Sequence, residues 1–175
     1  MTTSQLFLFL FTLFVFFTFM IRHFTASAFV IDSQKRVLLL RHKKLNRWMP
    51  PGGHVDENET PQETARRECK EETGLDVLIV GDAQEDIFIE NPTEGSMLKK
   101  PFAMLLEEIP AHNDQPAHQH MDFVFIARPV DEDQTLSLEE AEGSDLKWFT
   151  VGEVATLSDE EIFSNVRRFI SLLSL

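Results

Sequence analysis

Three carboxylates, Glu68, Glu71 and Glu72, crowd a short stretch that also carries Arg67 and follows Pro50-Pro51-Gly52-Gly53. At that spacing they share one side of about one and a half turns of helix. Like charges so placed repel, and a helix that gathers them needs a compensating cation. Oxygen ligands suit a hard divalent ion such as Mg2+. Two further groups could do chemistry. His118, His120 and Asp122 alternate in an apolar stretch. They would line one face of a strand, where they could touch substrate or a metal, or else be polar decoration at the strand's entrance. Arg41, His42, Lys43, Lys44 and Arg47 form the densest basic cluster, just before the double-glycine loop. Arg41 and Lys43 are its candidates for contact with substrate phosphates, against the alternative of a solvated basic loop.

The carboxylates need a helix to hold them, and local chemistry predicts one. Thr60 suits the N-cap, Pro61 the first helical position, and Glu63 completes a capping box. Gly74 sits where a left-handed C-terminal cap is expected. Ala65 and Cys69 can then face a core while the glutamates face another side. Arg67 lies four residues from both Glu63 and Glu71. It can hold one carboxylate in place while the others bind metal.

The pattern Gly53-x5-Glu59-x7-Arg67-Glu68-Cys69-x-Glu71-Glu72-x-Gly74-Leu75 resembles the Nudix box of the Nudix hydrolases. Every fixed position is met. Cys69 stands where a bulky aliphatic residue is usual, and it is itself a buried type of side chain. The likeness extends from about His23 to Trp148, and Trp48-Met49-Pro50-Pro51-Gly52-Gly53 is similar to the family's entry into the box. The resemblance implies an α/β/α sandwich with a mixed sheet. It implies hydrolysis of a nucleoside diphosphate linked to another moiety, with Mg2+ or Mn2+ as cofactor. The Gly53 carbonyl, Glu68, Glu71 and Glu72 would form the metal site, oriented by Arg67 and Glu59, with Gly52 and Gly74 shaping it. Glu142 is the candidate for a further acid from a later loop, against a solvated glutamate beside Glu139 and Glu140. Which glutamate is the general base stays open. A catalytically silent nucleotide-binding module is the rival reading, and the three intact glutamates argue against it. No subgroup signature identifies the diphosphate.

The chain has 175 residues, 43% of them hydrophobic, enough for one domain with some decoration. Its 16 basic against 29 acidic side chains leave a net charge of −13, which disfavours nucleic acid as a partner. A small diphosphate must then be met through bound metal and a few local cations. Cys69 is the only cysteine, which excludes an internal disulfide and suits a reducing, cytoplasmic location. Residues 1–22 form an apolar, Phe-rich segment before a domain expected over 23–175. The run from Leu6 to Ile21 reads as a helix packed on the domain or on a second subunit, giving a homodimer. A short membrane anchor, with Arg22 keeping the domain cytoplasmic, is the next reading, and a secretory signal is disfavoured because Met1-Thr2-Thr3-Ser4-Gln5 has no basic side chain.

Strands are expected over residues 24–32, 37–41, 76–80, 85–90, 100–109, 120–128 and 145–150, with residues 43–51 as a loop. Residues 151–157 read as a short helix, and Ser158-Asp159 as the cap of a final helix to about Leu173. Trp48 is expected to wall the core rather than stack on a base. The layout predicts a mixed sheet with helices on both faces.

Overall fold

The computed structural model describes residues 20–82, 84, 89, 91, 93–112 and 115–173. Strand β1 (Arg22–Val30) is the organising element. Ala26, Ala28 and Val30 point to one side of it and Phe29 and Ile31 to the other, so both faces bury apolar surface. It pairs in parallel with the long β7 (His118–Pro129), placing His23 beside His120 and Thr25 beside Asp122. On its other edge β4 (Gly52–His54) runs antiparallel, with Thr25 opposite His54 and Ala26 opposite Gly53. The far side of β7 carries β5 (Val77–Val80) and β6 (Ala103–Ile109), both antiparallel. A second, antiparallel sheet has the order β3 (Arg47–Met49), β2 (Val37–His42), β8 (Gly143–Phe149).

Helix α1 (Pro61–Thr73) covers one face. Its Ala65 and Cys69, both fully buried, pack on Ala26, Ala28, Val30, Phe125 and Ala127. The small residues on both sides let the helix approach the sheet closely, which brings its glutamates to the glycines of β4. The other core joins Phe29, Leu39, Trp48, Val124 and Phe149 to α2 (Val151–Thr156) and α3 (Ser164–Leu172) through Val154, Val166 and Ile170. Trp48 is 6% exposed and meets Phe149 edge-on at 4.8 Å, so it walls the core as expected. The result is the expected sandwich with a mixed sheet.

Three expectations need correction. Residues 43–51 are not all loop. Asn46, in the left-handed region at φ 52, turns the chain back so that β3 pairs with β2. Gly52–His54 is likewise a strand, held by β1. The last helix starts at Ser164, not at Ser158, whose N–H and hydroxyl both donate to Glu161 at 2.9 Å in a separate turn. The buried Ile162 bridges to Trp48, and the Trp48 N–H donates to the Glu161 carbonyl at 2.8 Å, which holds this segment out of a helix. The strand expected at 85–90 lies almost wholly outside the described residues. So do residues 6–19 of the apolar run; its last two members, Met20 and Ile21, are exposed. Among the described residues no helix is long and apolar enough to cross a membrane.

Candidate active site

Helix α1 is delimited by its own caps. The Glu63 carboxylate accepts from the Thr60 N–H at 2.8 Å and from its hydroxyl at 2.7 Å. Gly74 ends the helix at φ 77, donating its N–H to the Lys70 carbonyl at 3.0 Å. Within these limits the loop and the helix are locked together. The Gly52 N–H donates to Glu72 Oε2 at 2.9 Å. At Gly53 a methyl group would overlap Oε1 of Glu68, so only glycine lets the backbone lie against that carboxylate.

Arg67 organises the acids around it. Its Nε and Nη2 donate to the two oxygens of Glu59 at 2.8 and 2.9 Å, and Nη1 donates to Glu68 at 2.8 Å and to Glu71 at 3.0 Å. Nη2 also reaches the His54 carbonyl at 3.1 Å, which ties the helix to β4. These contacts hold Arg67 charged far above any working pH and pull Glu59 below the ordinary carboxylate range. Glu59 also accepts from the Thr64 hydroxyl at 2.8 Å.

The remaining acids are under electrostatic stress. Glu72 is only 6% exposed. Burial, joined by the charges of Glu68, Glu142 and Glu71, pushes it up to about 8 against the help of the Gly52 N–H. Glu68 is pushed up as well, by burial first, although Arg67 opposes the shift. Among the described residues Arg67 is the one cation bonded to these acids, and it is shared among Glu59, Glu68 and Glu71. An all-oxygen donor set with negative charge in excess fits a hard divalent cation.

The other residues singled out in the sequence divide. The Glu142 carbonyl accepts the Lys43 N–H at 2.9 Å, and its negative charge acts on both Glu72 and His42, so the structure brings it to the edge of the acidic group. Lys43 donates its ammonium to the Glu140 carbonyl. Arg41 donates to Asn46 Oδ1 at 2.9 Å and lies over the Trp48 ring at 5.9 Å. Both basic groups are thus spent on local partners. Asp122 is turned inward. Its two oxygens accept from Thr25 at 3.1 Å and Ser27 at 2.8 Å, and burial raises its pKa.

His118 and His120 share a face, as their alternation predicts, and their Nε2 atoms are 3.2 Å apart. Two histidines that sequence reasoning passed over, His23 and His54, join them: the rings of His54 and His120 are 4.9 Å apart and those of His23 and His54 5.1 Å. Burial among other imidazoles drives His120 down to about 4. Glu107 was also missed. It lies opposite His120 across the β6–β7 ladder, and burial, with Asp122 nearby, pushes it up to about 7. His54 carries no local signal, because Gly52–His54 becomes a strand only by pairing with β1, which turns His54 away from α1.

Comparisons with known proteins agree with this architecture. The family model of the NUDIX domain matches residues 21–171. The solved structure of a NUDIX-family hydrolase from Clostridium perfringens superposes with a TM-score of 0.70 at 29% identity, covering 87% of this chain and 98% of that one. A MutT protein from Methanosarcina mazei shares the fold, with a TM-score of 0.62 at 18% identity over 87% of this chain and 92% of that one. An uncharacterized Nudix hydrolase of Bacillus subtilis, YvcI, is 27% identical over 128 residues, which is 73% of this chain and 66% of that protein. An asymmetrical bis(5'-nucleosyl)-tetraphosphatase of Mus musculus is 48% identical over 40 residues, 23% of this chain and 27% of that one. The chain thus aligns with less than two thirds of the length of either of these two curated relatives. With the match running from before β1 through α3, and with the box residues gathered around one arginine, the chain belongs to the Nudix hydrolase family.

Proposed function

We propose that this chain hydrolyses a diphosphate linking a nucleoside to another moiety, using a bound divalent cation. One observation carries the reading: Glu68 and Glu72 lie against the glycines of β4, and among the described residues Arg67 is the one cation bonded to this acidic group, where three carboxylates share it. Glu68, Glu71, Glu72 and the Gly53 carbonyl would hold Mg2+ or Mn2+. When bound, that ion neutralises charge building on the phosphate oxygens and activates a water.

The protein's own groups do the positioning. Arg67 fixes Glu68 and Glu71 relative to Glu59, and Gly52 aims Glu72 through its N–H. Gly53 gives the close approach that any side chain would block. The proton leaving the attacking water goes to a carboxylate of this group. Glu142 is exposed and has no contact with Arg67, so it can swing to meet that proton. Arg41 and Lys43 would have to release Asn46 and the Glu140 carbonyl to touch substrate. The Mus musculus relative is named as a bis(5'-nucleosyl)-tetraphosphatase, which supports a nucleoside-linked phosphoanhydride as the substrate class.

Purified protein with Mg2+ or Mn2+ and a panel of nucleoside diphosphate-linked compounds tests this reading, with phosphate-containing products detected. Glu71→Gln and Glu72→Gln are expected to abolish turnover while leaving the fold intact, and unchanged turnover in both refutes the site. We place the domain at 23–175 in the cytoplasm, consistent with a sole cysteine buried as the thiol. Fractionating cells that express the chain with or without residues 1–22 tests whether that segment brings it to membranes.

A further inference from the structure

Strand β4 presents neighbouring residues to opposite faces of the sheet. Gly53 meets α1, and His54 looks the other way. On that far side one ligand nitrogen from each of His23, His54 and His120 lies within 4.8 Å of the others. His118 adds a fourth imidazole, its Nε2 3.2 Å from Nε2 of His120 and its ring 5.1 Å from that of His23. We propose that His23, His54, His118 and His120 form a second metal site, separate from the carboxylate helix, that takes Zn2+ or a similar borderline divalent cation.

Geometry supports the assignment. Nitrogens around a tetrahedral Zn2+ are about 3.3 Å apart when each sits about 2.0–2.1 Å from the ion. The His118–His120 pair already has that spacing. His23 and His54 stand at the exposed rim, so side-chain rotation alone can close the remaining gap. The four rings come from three strands, and the register of β1 with β4 and β7 holds their backbones together.

The surroundings of His118 point the same way. Its Nδ1 lies 2.9 Å from the Pro116 carbonyl, which can only accept. Nδ1 therefore carries the proton, and Nε2 keeps its lone pair toward the cluster. A ligating histidine is commonly oriented in this way by a carbonyl behind it. The donors are all imidazole, whereas the α1 site offers only oxygens. Imidazole favours Zn2+ over Mg2+, so the two sites sort different ions. Asp56, two residues after His54, supplies a negative charge that acts on that imidazole.

The test uses the full chain, stripped of metal and then held in excess Mg2+ to occupy the oxygen site. Titration with Zn2+ by calorimetry is expected to show one ion per chain at micromolar affinity or tighter. Co2+ should give the visible absorption of a tetrahedral nitrogen site in the wild-type protein, a readout that needs no variant. His23→Ala with His54→Ala, both exposed, should weaken Zn2+ by about 100-fold or more. Glu71→Gln should leave Zn2+ affinity within about twofold, since it touches only the oxygen site. The proposal is overturned if Mg2+ displaces the Zn2+, if the Co2+ spectrum is octahedral, or if Glu71→Gln abolishes binding while the double histidine variant retains it. It is equally overturned if inorganic phosphate perturbs the imidazole resonances in NMR spectra and Zn2+ does not.

Discussion

Glu72→Gln should make the metal-free protein more stable in alkali and no more stable in acid. In the folded chain the Glu72 carboxyl rises from the ordinary 4.5 to about 8, chiefly through burial. Below pH 4.5 it is protonated in both the folded and the unfolded chain, so its titration costs the fold nothing. As the pH rises through 4.5 the unfolded chain releases the proton while the folded chain keeps it until about 8. The native state therefore loses stability across that window, and the loss levels off above it. At about 1.36 kcal/mol per pKa unit, roughly 4 kcal/mol disappears between pH 5 and pH 9. Glutamine has the same shape, cannot ionise, and keeps an oxygen for the Gly52 N–H at 2.9 Å. Urea unfolding of both proteins in a chelator at pH 5 and pH 9 measures the effect. The variant's relative stability should grow by about 4 kcal/mol across that range. Mg2+ at one hundred times its dissociation constant should then offset about 2.7 kcal/mol of that difference in the wild type's favour. If the variant is less stable than wild type at pH 9 without metal, Glu72 carries no trapped charge and the reasoning fails.

Other substitutions probe the same assembly. Gly53→Ala puts a methyl group into Glu68 Oε1 and should lower kcat by about 100-fold, seen in steady-state kinetics, while circular dichroism stays unchanged. Arg67→Lys replaces a fork that spans Glu59, Glu68 and Glu71 with a point charge; metal affinity should fall about 10–100-fold, read by calorimetry with Mn2+. Gly74→Ala forces φ 77 on an L residue and brings its Cβ to 2.9 Å from Ser137 Cβ, which should cost about 1–3 kcal/mol in urea unfolding.

Helix α1 was legible because its signals are local. Thr60, Pro61, Glu63 and Gly74 each act on backbone a few residues away, and Arg67 reaches Glu68 and Glu71 within one turn. What escaped depends on partners distant in the chain. Gly52–His54 has no strand pattern of its own and becomes a strand only because β1 offers an edge. The start of α3 was misplaced because Ser158 carries a convincing cap, yet the burial of Ile162 against β3 overrides it. The alternation of Asp122 with His120 suggests a substrate contact. The face was right, but the parallel register with β1 supplies Thr25 and Ser27, which occupy its oxygens. The histidine cluster escaped for the same reason, since no local rule brings His23, His54 and His120 together.

The sole thiol of the chain, Cys69, lies fully buried on the underside of α1, with Glu68, Glu71 and Glu72 on the same helix. Burial raises its pKa far above the usual thiol range, which keeps the reactive thiolate scarce in the native state. Any alkylation by a thiol reagent must then wait for the helix to lift from the sheet. Labelling kinetics at this one atom would time the detachment of the helix that holds the glutamates, in the unmodified protein and without an engineered probe.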